Sequence, residues 1–143
     1  MSKMYIVYWS MTGNTEAMAQ AIAEGGKTAG AEVKLWRVSD VDTAELLAGD
    51  LLAFGCPAMG DEVLEESEFD PFFSGIEKDL SGKKVALFGS YGWGDGQWMR
   101  DWEDRVKKAG ADLFKGEGLM ANEAPDDDAV EACRAFGAAF AAY

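Results

Sequence analysis

The sequence predicts an α/β fold: a doubly wound parallel sheet between two helical layers, three layers in all, as one domain over residues 1–143. Three observations carry this. Apolar runs alternate with amphipathic stretches along the whole chain. Three of the runs are nearly continuous in Val, Ile, Leu, Tyr and Phe, as parallel strands covered on both faces are. No repeat, linker or low-complexity block interrupts the alternation, and a chain of 143 residues can bury about two-thirds of its unfolded surface.

Element by element, the runs Met4–Trp9, Glu32–Val38, Asp50–Gly55 and Lys84–Gly89 read as strands, with a weaker fifth over Asp112–Met120. Met18 and Ile22 recur at helical spacing after the first. Phe69, Phe72, Phe73 and Ile76 do so before the fourth, and Trp98 or Met99, Trp102 and Val106 after it. The chain closes on Cys133, Phe136 and Phe140 at the same spacing. Asp126 to Asp128 stand before that last helix, where acids complement the N-terminal dipole, a structural role.

Composition excludes several functions. With 26 acidic against 13 basic residues the net charge is −13, which disfavours nucleic acid and anionic membrane as partners and either favours basic proteins or serves solubility alone. No run approaches the roughly 20 apolar residues of a membrane span, and the N-terminus lacks a signal-peptide core, so the expected location is the cytoplasm. The chain has no histidine, which removes the usual general base and the His-metal sites. Cys56 and Cys133 lack metal-ligand spacing and read as small core residues in a reducing compartment, with a disulfide as the lesser alternative.

In doubly wound sheets ligands sit at the carboxyl ends of the strands, which singles out three loops. The first, "SMTGNT" (Ser10, Met11, Thr12, Gly13, Asn14, Thr15), runs from a strand into a helix. It reads either as a turn with a capped helix or as a phosphate cradle, in which free helix N–H groups and hydroxyls hold an oxyanion and Gly13 allows close approach. It contains no Lys or Arg, and the Gly-x-x-x-x-Gly-Lys pattern of triphosphate sites is missing. The second loop, "CPAMGDEVLEESEFD", sets a flexible apolar Met59 beside Gly60, followed by Asp61, Glu62, Glu65 and Glu66 with no base among them; a solvated acidic turn starting a helix explains the acids but gives no reason for Met59. The third, "GSYGWGDGQW", offers Tyr91 and Trp93 as an aromatic wall or, alternatively, a glycine-rich turn whose Trp folds back on the core. A neutral phosphate cradle, a Met-Gly wall, an aromatic wall and a rim of acids together fit a flat ring with one phosphate, as in flavin mononucleotide (FMN).

Thr-Gly-Asn-Thr after the first strand, with Ala-Met-Gly-Asp-Glu and Ser-Tyr-Gly-Trp-Gly at two further strand ends, resembles the flavodoxins, and most closely their short-chain type from anaerobic bacteria. The resemblance covers essentially the whole chain. It implies a five-stranded sheet of order 2-1-3-4-5, for which flavodoxin is itself the standard example, and an uninterrupted last strand. It implies that Ser10 to Thr15 hold the FMN phosphate with Ser90 nearby. Met59 would cover one face of the ring and Trp93 the other, with Pro57, Ala58, Gly60, Asp61 and Glu62 and then Tyr91, Gly92 and Gly94 around its edge. Met11 and Pro57 depart from the family pattern, which implies slightly weaker binding, with Met11 pointing outward. The implied function is a low-potential one-electron carrier working between the semiquinone and hydroquinone of FMN, with Gly60 as the redox switch. Its partners would be basic-surfaced, ferredoxin-type donors and acceptors, and the chain a monomer. The alternatives are an FMN-dependent quinone reductase of the same fold and a response-regulator receiver domain. The receiver is disfavoured because the third strand ends in Phe54-Gly55-Cys56 rather than in a phosphoacceptor Asp.

Overall fold

A computed structural model describes residues 2–143. In chain order the elements are β1 (Lys3–Tyr8), α1 (Asn14–Thr28), β2 (Glu32–Arg37), α2 (Thr43–Leu47), β3 (Leu51–Gly55), α3 (Phe69–Ile76), β4 (Lys84–Tyr91), α4 (Gln97–Lys108), β5 (Asp112–Leu113), β6 (Leu119–Asn122) and α5 (Asp127–Ala141). The strands pair in parallel in the order β2-β1-β3-β4-β5, the expected topology.

The central strands alternate strictly between two cores. Tyr5, Val7, Leu52, Phe54, Val85 and Leu87 point to the face covered by α2, α3 and α4. Met4, Ile6, Tyr8, Leu51, Ala53, Ala86 and Phe88 point to the face covered by α1 and α5. Burial on both faces is why these segments read as continuous apolar runs rather than as an alternating pattern. The aromatics of α3 and α4 fill the first core, with Phe69 and Phe73 each edge-on to Trp102. Cys56 and Cys133 are buried free thiols, and burial pushes the Cys133 thiol up to about 11 and Cys56 higher still.

Two expectations need correction. The last strand is not uninterrupted: a short 3-10 turn over Phe114–Gly116, with Lys115 at φ 62, separates β5 from β6. Both pieces pair with β4, so together they fill the fifth position of the sheet. In addition, β4 does not stop at Gly89. Its pairing with β6 (Ser90↔Ala121, Tyr91↔Asn122) carries Ser90 and Tyr91 into the strand and places them at its carboxyl end.

Candidate functional site

The carboxyl ends of β1, β3 and β4 surround a cleft of ≈ 270 Å³. Of the residues singled out in the sequence, Ser10, Met11, Thr12, Asn14, Thr15, Pro57, Ala58, Met59, Gly60, Ser90, Tyr91 and Gly92 line it, joined by Trp9 and Glu123. Gly13, Asp61, Glu62, Trp93 and Gly94 lie outside this lining. Trp9 and Glu123 carried no distinguishing signal, since Trp9 reads as the end of a strand and Glu123 as one acid among many. A larger hollow of ≈ 610 Å³ lies between α3 and α4, away from the strand ends, and is lined by mixed charges.

On the β1 side, Gly13 takes φ 95, a left-handed conformation open to glycine, and turns the chain into α1. The Ser10 hydroxyl oxygen accepts from the N–H groups of Gly13 (3.2 Å) and Glu16 (3.3 Å). The N–H groups of Asn14 and Thr15 have no helical carbonyl to meet. Behind them Thr15 is buried, and its hydroxyl meets the Ser90 hydroxyl at 2.8 Å, which joins the cradle to β4. Glu16, the acid of this first turn, is held aside: it accepts from the Tyr8 hydroxyl (2.6 Å) and from Arg37 (3.0 Å). Burial, and then the hydrogen bond to Glu16, push the Tyr8 hydroxyl up to about 12.

This N-terminus differs from the other four. The α2 helix receives the Asp42 carboxylate on Glu45 N–H, and α5 receives Asp126 on Ala129 N–H. The α4 helix begins behind Gly96 at φ 91, much as α1 begins behind Gly13, but Glu62 Oε2 accepts from Trp98 N–H at 2.9 Å. The α3 helix receives Glu65, which accepts from Glu68 N–H (2.8 Å) and Phe69 N–H (2.9 Å). Among the described residues only α1 is met by an uncharged side chain. A helix start with no carboxylate of its own is where an external anion gains most from the N–H groups and the dipole.

The second loop is a tight turn in which Met59 N–H donates to Val63 O (3.0 Å) and Glu62 N–H to Met59 O (2.9 Å), while Ala58 N–H donates to Ser90 O (3.0 Å). Gly60 and Asp61 form its exposed apex. Glu62 sits at φ 55, and its Oε1 is buried against Gly94 with no hydrogen-bond partner among the described residues. The acidic rim is thinner than the sequence suggests. Glu65 is a buried helix cap and not a rim residue, and Asp95 is paired with Arg100 of α4 at 3.0 Å. Asp61 and Glu66 remain exposed, with Glu123 joining them.

In the third loop Trp93 is 70% exposed, so it does not fold back on the core. Tyr91 leans instead on Trp98, ring centroids 5.8 Å apart. The end of β6 clamps this loop: Asn122 Nδ2 donates to Gly92 O (3.1 Å) and Glu123 N–H to Tyr91 O (2.6 Å). Met11 is also 70% exposed, beside the mouth of the cleft.

The family model described as Flavodoxin matches residues 6–137 of the chain. A flavodoxin of Clostridium beijerinckii is 55% identical over 94% of this chain and 96% of its own length. One of Megasphaera elsdenii is 47% identical over 95% and 96%. The solution structure of two-electron reduced Megasphaera elsdenii flavodoxin superposes with a TM-score of 0.87 at 45% identity, covering 98% of this chain and 99% of that one.

Proposed function

The chain belongs to the flavodoxin family, and from that premise we propose that the strand-end cleft is its FMN site and that the carrier works at low potential. It is an FMN-binding electron carrier rather than an enzyme with a substrate of its own, and the quinone-reductase alternative is not favoured. Bound FMN supplies the one-electron redox chemistry.

The observation that carries the site assignment is the α1 N-terminus, the one α-helix start that, among the described residues, is not filled by a carboxylate of the chain. Ser10 to Thr15 would hold the phosphate through N–H groups and hydroxyls, with Ser90 braced behind Thr15. Glu62 Oε1, buried and without a hydrogen-bond partner among the described residues, would be an acceptor for the N–H donor of the ring's pyrimidine edge. Met59 and exposed Trp93 would cover the two faces, with Pro57, Ala58, Gly60 and Asp61 and the Tyr91 to Gly94 segment around the edge. Asp61, Glu62, Glu66 and Glu123 disfavour added negative charge nearby, which lowers the potential. The same acids favour basic-surfaced redox proteins as donors and acceptors. We place the carrier in the cytoplasm as a monomer of one domain; among the described residues no helix is long and apolar enough to cross a membrane.

Gly60 is the proposed switch. Its φ is not positive here, and a Cβ on it would meet nothing within 4 Å. Turning the Gly60–Asp61 peptide to present the Gly60 carbonyl towards the ring rotates ψ of Gly60 and φ of Asp61, and a turn that in the same movement carries Gly60 to positive φ is one that glycine accepts at low cost.

Titration of apo-protein with FMN, riboflavin and FAD tests the assignment. The expected result is one FMN per chain, with riboflavin weaker for want of a phosphate and FAD weaker because the adenylate has no room at the helix start. Equal affinity for riboflavin and FMN would remove the phosphate from the α1 cradle.

A further inference from the structure

Glu65 is 5% exposed, and N–H and O–H groups meet its charge instead of a cation. Oε1 accepts from Glu68 N–H and Phe69 N–H, and Oε2 accepts from Ser67 N–H (2.8 Å) and the Ser67 hydroxyl. Its backbone joins two elements: Glu65 N–H donates to Cys56 Sγ at the end of β3 (3.4 Å), and Glu65 O accepts from Asp70 N–H (2.8 Å) in α3. Residue 65 therefore closes the loop that carries Met59, Gly60, Asp61 and Glu62. The first foot of that loop is fixed by Ala58 N–H on Ser90 O. Glu62 adds a third fixed point on Trp98 N–H. Between these points Gly60 and Asp61 are exposed at the apex, whereas exposed Val63 is tied back through its carbonyl to Met59 N–H.

We propose that Glu65 is a positioning residue for the cofactor: by clipping the second foot of the loop to the start of α3, it holds Met59 to Glu62 at the rim of the cleft and confines movement to the Gly60–Asp61 peptide. The proposal rests on the FMN reading of the cleft and adds to it a residue that touches no part of the ligand. A carboxylate is needed because all four donors require acceptors. A glutamine offers one carbonyl oxygen, so its NH2 faces either Ser67 N–H or the Glu68 and Phe69 N–H pair, and a buried donor goes unmet. A loop loosened in this way must be ordered by the ligand, at the expense of affinity.

The test compares Glu65→Gln with Glu66→Gln, which removes the same charge from the exposed neighbouring position. Three quantities are read: the FMN dissociation constant, the midpoint potential of the first electron, and amide hydrogen exchange of the apo-protein. Expected for Glu65→Gln are about tenfold weaker FMN binding and about tenfold faster exchange over residues 59–69, with a first-electron potential below that of the wild type. Glu66→Gln should stay within about twofold of wild-type affinity. If Glu65→Gln speeds exchange in α3 yet keeps the wild-type affinity and first-electron potential, Glu65 is only a helix cap and the proposal is overturned. Should Glu65→Gln fail to fold, Ser67→Ala decides, because it removes a single hydroxyl bond; about threefold weaker FMN binding supports the proposal and unchanged binding overturns it. A wild-type protein that binds no FMN overturns the function and this inference together, whereas normal wild-type binding with an inert Glu65→Gln overturns the inference alone.

Discussion

The α1 and α4 helices begin alike and are used in opposite ways. Each starts behind a glycine in the left-handed region, Gly13 at φ 95 and Gly96 at φ 91, and each points its N-terminus to the same end of the sheet. At α4 the chain supplies the anion itself, Glu62 on Trp98 N–H. At α1 it supplies only the Ser10 hydroxyl and draws Glu16 away onto Tyr8 and Arg37. The difference teaches that an anion site here consists as much in a withheld carboxylate as in a favourable loop. The dipole and free N–H groups are common to all the helices, and what distinguishes α1 is that no carboxylate accepts from its first N–H groups.

Giving α1 a carboxylate should break the comparison most strongly. In Ser10→Asp a fixed negative charge beside the phosphate, about 4 Å away at an effective dielectric of about 20, opposes binding by up to about 4 kcal/mol. FMN affinity should fall about a hundredfold, with riboflavin affinity much less affected, as fluorescence titration of both ligands would report. Next in size is Gly60→Ala, at the apex of the loop held between the filled termini of α3 and α4. A Cβ fits the conformation seen here and resists positive φ by about 1–2 kcal/mol. The first-electron potential should drop by roughly 40–90 mV while FMN in its oxidised form binds nearly as well; potentiometric titration decides, and an unmoved potential would sink the peptide-turn reading.

Emptying α4 should have a smaller effect. Glu62→Ala removes the carboxylate from Trp98 N–H and should cost about 1 kcal/mol of stability, measured by urea denaturation of the apo-protein. Acid sharpens the same contrast through α3. Burial raises the Glu65 carboxyl, but the Ser67 hydroxyl and the N–H groups of Phe69, Glu68 and Ser67 outweigh it, and the net displacement is downward. A carboxyl lowered by folding contributes stability that is complete above its unfolded value, about 4.3, and is lost as pH falls through the lower folded value. Denaturation midpoints measured down the acid range should therefore fall more steeply for the wild type than for Glu65→Gln. The smallest shift belongs to Asp61→Asn. This exposed charge should raise the second-electron potential by about 10–30 mV at low salt and less at high salt; no difference between the two salts would count against the electrostatic account.

Much of this was legible in the residues. Met4–Trp9, Asp50–Gly55 and Lys84–Gly89 announce buried strands, and the loops after them contain most of the cleft. The short α2 leaves no mark in the sequence, because five residues around a single buried Leu46 carry no periodicity. The break between β5 and β6 was missed because Lys115 is an ordinary residue at a φ that favours glycine. In "DEVLEESE" the acids are chemically interchangeable as letters. Nothing local marks Glu65 for burial and Glu66 for solvent, or Glu62 for the α4 N-terminus. Nothing in the third loop marks Asp95 for its pairing with Arg100, five residues on.

By itself, then, the sequence determined the alternation of elements, the two-faced burial of the central strands and the chemical character of each strand-end loop, because these follow from the periodicity of apolar residues and from the conformational habits of Gly, Ser, Thr and Pro, all short-range properties. Only the tertiary structure decided which acid fills which helix N-terminus, that β6 extends β4 through Tyr91, and that Trp9 and Glu123 complete the cleft. Those outcomes depend on which N–H donors the sheet order brings within about 3 Å of which side chain, and residues as far apart as Thr15 and Ser90 meet only once the parallel sheet has set β1, which leads into α1, two places from β4.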